Sequence, residues 1–87
     1  MARVIVEFYG VPRLRAGRSQ LSVEADTVRA ALAAIVAACP GLTDVIVDER
    51  LAAHYLLSVN GERFVTDLDE EMKAGATLLL LSADAGG

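Results

Sequence analysis

Apolar and polar residues alternate over residues 3–9. Val4, Val6 and Phe8 fall on one face, and Arg3, Ile5, Glu7 and Tyr9 on the other. A period of two predicts a half-buried strand. Residues 10–17 are bounded by Gly10 and Gly17 and contain Pro12, a composition that predicts a loop. Alternation resumes over residues 20–23 with Leu21 and Val23 inward, as the second arm of an antiparallel hairpin. The period then changes. Val28, Ala31, Leu32, Ile35 and Cys39 recur at helical spacing, and the alanines at 30, 31, 33, 34, 37 and 38 favour a helix. Asp26 or Thr27 can cap its start, and Pro40-Gly41 ends it.

Residues 42–50 carry two patterns. Leu42, Val45 and Ile46 suit a helical turn, whereas the run Val45-Ile46-Val47 suits a strand; a short helix is the expectation. Tyr55–Val59 reads as a third strand. Asn60-Gly61 is a type I′ hairpin signal, so residues 62–65 should pair back. The acidic residues 67–72 predict a short turn of helix, Lys73-Ala74-Gly75 a turn, and Thr77–Ser82 the last strand.

This order, β-β-α-β-β-β, predicts an α+β domain over residues 1–82. A flexible tail, residues 83–87, is expected to follow it and to end in Gly86-Gly87. Four consecutive leucines at 78–81 point to a strand buried on both faces, hence central, with the first strand beside it. One helix covers one face of a sheet. If it lies over Val4, Val6 and Phe8, then Ile5, Tyr9, Leu79 and Leu81 line the other, and an apolar patch of that kind marks a protein contact.

Composition narrows the function. The 87 residues are 54% hydrophobic but only 5% aromatic, so the core must be aliphatic. The net charge of −4 speaks against nucleic acid, whose phosphates need a basic surface. No apolar run reaches the roughly 20 residues of a membrane helix. The sequence opens directly on a strand pattern, so no signal peptide and no membrane partner are expected, and the expected location is the cytoplasm.

The familiar constellations of catalysis are nearly empty. His54 is the single histidine and Cys39 the single cysteine, which leaves no disulfide and no zinc spacing. His54 reads as an exposed residue and Cys39 as a small core residue. Asp67, Asp69, Glu70 and Glu71 read as a solvated turn rather than a carboxylate pair for acid–base work. Arg13, Arg15 and Arg18 form one basic cluster, an ordinary solvated loop or a dock for an acidic partner. What remains is the carboxylate of Gly87. Glycine lacks a Cβ and fits a narrow channel, so Gly86-Gly87 could carry that carboxylate into another protein's active site. A carboxylate is a poor acyl donor until it is coupled to AMP, and the chain has no phosphate site of its own. A partner that uses ATP is required.

The chain resembles the MoaD/ThiS family of ubiquitin-like β-grasp sulfur carriers. The resemblance spans nearly the whole length. It rests on Phe8-Tyr9-Gly10 followed by Arg13 and Ala16-Gly17, on Pro40-Gly41-Leu42, on Val59-Asn60-Gly61-Glu62, on Lys73-Ala74-Gly75 and on terminal Gly86-Gly87. It implies a ubiquitin-like mixed sheet of about five strands, with the first and last strands parallel at its centre and one main helix on one face. It implies that an E1-like enzyme adenylates Gly87 and that the product becomes a thiocarboxylate donating sulfur to a synthase subunit. The apolar face, with Tyr9, Leu81, Ile5, Leu79 and Arg13, would dock these partners, while Gly86 enters the channel. No cofactor is bound; ATP belongs to the activating partner. The chain would be a protein cosubstrate or the small non-catalytic subunit of a synthase, not an enzyme. It departs from the molybdopterin-type pattern in having Ser82-Ala83-Asp84-Ala85 where prolines often stand. Residues 42–57 look more like carriers that feed cysteine synthesis or RNA thiolation. Molybdopterin, cysteine, thiamine and tRNA thiolation stay open as destinations. So do a modifier joined through Gly87 to lysines of other proteins and a non-covalent β-grasp interaction domain.

Overall fold

The computed structural model describes residues 2–83. Its strands are β1 (Arg3–Phe8), β2 (Gln20–Glu24), β3 (Ile46–Val47), β4 (Arg50–Leu51), β5 (Tyr55–Val59), β6 (Arg63–Phe64) and β7 (Thr77–Ser82). Its helices are α1 (Val11–Ala16) and α2 (Val28–Ala38), with a 3-10 turn at Pro40–Leu42. Five strands form one mixed sheet in the order β2-β1-β7-β5-β6. The leucine strand β7 is central, parallel to β1 and antiparallel to β5. This is the expected α+β β-grasp. Among the described residues no helix is long and apolar enough to cross a membrane.

The period-two residues divide as their alternation requires. Val4, Val6 and Phe8 of β1, Leu57 and Val59 of β5, and Leu78 and Leu80 of β7 are buried. Facing them, α2 buries Val28, Ala31, Leu32 and Ile35. Cys39 closes the stripe as a buried core residue.

Three expectations fail, each for a local reason. Residues 10–17 are not a loop but hold α1. Pro12 sits in the first turn, where a missing N–H and a fixed φ suit a helix start. Gly17, at φ 73°, ends the helix by donating its N–H to the Arg13 carbonyl at 3.1 Å. Residues that read as breakers are here the two ends of one helix.

Residues 42–50 are not a short helix. After the 3-10 turn the chain forms the two-residue strands β3 and β4, paired Ile46 to Leu51 and Val47 to Arg50. Asp48 and Glu49 make the turn at φ 53° and 61°, left-handed angles that neither residue signals in the way Asn-Gly does.

Residues 67–72 form one turn, closed by Glu70 N–H on the Asp67 C=O at 3.2 Å, but no helix, because two of their carbonyls are committed to α2. Glu70 C=O accepts from Val28 N–H at 3.0 Å, and Leu68 C=O accepts from Arg29 N–H at 2.7 Å. Thr27 Oγ1 accepts from Ala30 N–H at 3.1 Å, so Thr27 rather than Asp26 is the cap of α2. A helix over 67–72 would withdraw two acceptors from the start of α2, whose first donors have no partner within the helix.

Candidate functional site: the open sheet face and the end of the central strand

The register of the sheet assembles the face turned away from α2. Leu56 pairs with Leu81, and the parallel β1–β7 ladder sets Phe8 beside Leu80. Tyr9 N–H donates to Leu80 C=O at 3.0 Å, continuing that ladder and placing Tyr9 next to Leu81. Tyr9, Leu81 and Leu56 therefore form one row at the end of the sheet where β7 finishes. A second row runs Glu7, Leu79, Ser58, Phe64, and a third joins Ile5 to Thr77. Tyr9 is 44% exposed and Phe64 54%; Ile5, Leu56, Leu79 and Leu81 are half-buried. None of these six belongs to the core beneath α2.

Ile5, Tyr9, Leu79 and Leu81 thus share the face on which alternation placed them. Leu56 and Phe64 complete this face, although no local pattern marks them. Phe64 follows from the Asn60-Gly61 turn once the pairing of Ser58 with Phe64 is known. Leu56 lies between two other apolar residues, so alternation could not assign it a side.

The end of the row carries polar groups as well. Tyr9 Oη donates a hydrogen bond to Glu7 Oε1. That bond is the main reason the Tyr9 phenol is held above its ordinary pKa, with desolvation and the Glu7 charge adding to it. Arg13, on α1, lines a shallow depression with Glu7, Phe8, Tyr9, Ser19 and Gln20. The three arginines do not act as one cluster. Arg15 pairs with Asp44 at 2.7 Å and Arg18 Nε donates to Gln20 C=O at 2.8 Å. Arg13 alone of the three is left beside the Tyr9 row.

The acidic run is structural. Asp69 pairs with Arg29 at 3.0 Å, and Glu70 binds Arg63 through both carboxylate oxygens. The Arg63 hydrogen bond is the main cause of a Glu70 pKa below the usual carboxylate value. His54, exposed before β5, contributes its backbone: its C=O accepts from Ala83 N–H at 2.7 Å and directs the chain as it leaves β7. Gly86 and Gly87, the predicted reactive end, lie outside the described residues.

The comparisons bear on this arrangement. No family model matches the chain, and no curated protein matches it. Solved structures do. The crystal structure of small archaeal modifier protein 1 from Haloferax volcanii is 31% identical, with a TM-score of 0.83 over 99% of this chain and 100% of that one. The chain belongs to the MoaD/ThiS family of ubiquitin-like sulfur carriers. A chain of the Amycolatopsis orientalis BexX/CysO complex is similar to this family member at 27% identity and a TM-score of 0.79, covering 97% of this chain and 99% of that one. A chain of the Helicobacter pylori complex of subunits 1 and 2 of molybdopterin-converting factor shares the fold. It is 20% identical with a TM-score of 0.65, over 92% of each chain.

Proposed function

We propose that this chain is a sulfur carrier: a cytoplasmic protein cosubstrate, not an enzyme, that works through the carboxylate of Gly87. An E1-like partner uses ATP to convert the carboxylate to an acyl adenylate and releases pyrophosphate. Hydrosulfide supplied by a sulfur donor then attacks the acyl carbon, the C–O bond to AMP breaks, and a thiocarboxylate remains. The thiocarboxylate gives its sulfur to an acceptor bound on a synthase subunit, with molybdopterin or cysteine synthesis ahead of thiamine or tRNA thiolation. The carrier binds no cofactor; ATP is held by the activating enzyme.

One observation carries this reading. The apolar open face runs to the end of β7, after which residues 83–87 follow in the sequence, so one partner could grip Tyr9, Leu81, Leu79 and Ile5 while receiving the sequence that ends in Gly86-Gly87. Arg13, at the rim of the same row, meets a carboxylate on that partner, and Gly86 passes its channel because it has no side chain. The likeness to a chain of the BexX/CysO complex supports a synthase-type partner.

Intact-mass spectrometry of protein isolated from its native host tests the chemistry. A thiocarboxylate adds the mass difference between sulfur and oxygen, and alkylation of the thioacid distinguishes it from oxidation. Deleting Gly87 is expected to remove the alkylated species and leave the melting temperature unchanged. A Gly87 deletion that still supports sulfur transfer would end the proposal.

A second reading is favoured by the match to small archaeal modifier protein 1 along nearly the full length of both chains. In it the same acyl adenylate is attacked by a lysine amine of another protein, and the product is an isopeptide. Immunoblots for higher-mass conjugates that vanish on Gly87 deletion separate this reading from the first.

A further inference from the structure

The chain contains eight cationic side chains, of which seven are arginines and one, Lys73, is a lysine. This count matters because only one of the two residue types can be acylated. A guanidinium remains protonated in proteins, whereas an ammonium gives up a proton to become a nucleophilic amine. Lys73 is therefore the one side-chain amine through which a copy of this chain could be modified by another.

Its position suits that role. Lys73 is exposed and opens the turn before β7, on a backbone held from both sides. Met72 N–H donates to Asp26 C=O at 2.8 Å, Gly75 N–H donates to Arg3 C=O at 2.9 Å, and Ala76 N–H closes the turn on Lys73 C=O at 3.1 Å. The side chain makes no ion pair among the described residues, although it borders a depression with Glu62, Glu70 and Glu71. Glu70 is already committed to Arg63. Lys73 precedes β7, and the sequence ending in Gly87 follows it. The six residues of β7 span about 20 Å, so Lys73 lies before one end of the central strand and residue 83 follows the other.

We propose that Lys73 is the acceptor site for self-conjugation, and that copies of this chain join head to tail through a Gly87–Lys73 isopeptide bond. The proposal rests on the modifier reading. The Gly87 carboxylate first attacks the α-phosphorus of ATP and releases pyrophosphate. The neutral Nζ amine of a second copy then attacks the acyl carbon, the C–O bond to AMP breaks, and Nζ loses its proton to solvent. No electron transfer is involved. A head-to-tail linkage of this type can repeat from copy to copy, and Lys73 is not among the residues of the Tyr9–Leu81 face.

The test is expression of the tagged full chain in its native host as wild type, Lys73→Arg and Gly87 deletion, followed by immunoblotting. Wild type is expected to give a ladder in steps of about 9.2 kDa alongside conjugates to other proteins. Lys73→Arg should reduce the ladder at least tenfold, keep the other conjugates and leave the circular dichroism melt unchanged. Gly87 deletion should abolish both sets. Trypsin should release a branched peptide in which Phe64–Gly87, uncleaved at Lys73, carries Ala74–Gly87. A ladder that persists in Lys73→Arg, through the N-terminal amine for example, overturns the proposal. So does wild type that forms conjugates to other proteins but no ladder; the modifier reading then stands without self-conjugation. Absence of every conjugate overturns both.

Discussion

Gly41 stands where a side chain does not fit. A Cβ built on it collides with the Arg15 carbonyl oxygen, because the 3-10 turn after α2 packs directly on α1. The obstacle is backbone and cannot swing aside. Gly41→Ala is expected to destabilise by about 1–3 kcal/mol, read as a lower urea midpoint. Asn60 is constrained differently. Its φ is 55°, its N–H donates to Thr77 C=O at 2.7 Å, and its Oδ1 accepts from Thr77 N–H at 2.9 Å. The side chain thus satisfies the first backbone donor of β7. Asn60→Ala loses that bond and the tolerance for a left-handed backbone, and should cost about 1–2 kcal/mol. Asn60→Gly keeps the backbone freedom and should melt between wild type and alanine.

At the scale of elements, α2 and the acidic segment depend on each other. The carbonyls of Leu68 and Glu70 complete the N-terminus of α2, while Asp69 and Glu70 pair with Arg29 on that helix and Arg63 on β6. Because Arg63 lowers the Glu70 pKa in the folded state, the contribution of Glu70 to stability is complete above the unfolded carboxyl value near ~4.3. It is lost as pH falls through the lower folded value. Arg63 is exposed and Glu70 half-buried, so solvent screens the pair and its contribution should be small. Melting wild type and Glu70→Gln between neutral and acid pH is expected to show wild type the more stable at neutral pH. The two curves should converge once pH falls below the lowered folded-state value. A constant gap would show that the carboxylate charge is not what Arg63 stabilises.

Across the whole molecule, neighbouring leucines of one strand serve opposite surfaces. Leu80 is fully buried under α2, whereas Leu81 is half-buried on the open face between Tyr9 and Leu56. Leu80→Ala should lower stability by about 2–5 kcal/mol while leaving partner binding intact in the protein that remains folded. Leu81→Ala removes less buried area and should cost about 1 kcal/mol, yet weaken binding to the proposed activating enzyme by tenfold or more, measured by calorimetry. Equal effects on folding and binding from both changes would mean that the two faces are not functionally separate.

The period-two and helical patterns by themselves determined β1, β2, α2, β5 and β7. They also determined the central place of the leucine strand and the sharing of one face by Ile5, Tyr9, Leu79 and Leu81. Those features follow from where apolar side chains can hide from water, and that is written residue by residue. Tertiary structure decided α1, the β3–β4 hairpin and the non-helical course of the acidic segment. In each case a short stretch with weak preferences took the form that its neighbours' unpaired backbone groups or close packing required. It also decided that Leu56 and Phe64 complete the open face, since strand register joins residues that no local pattern connects. It further decided that Arg15 is drawn away from Arg13, because its partner Asp44 lies 29 residues away and is brought near only by the fold.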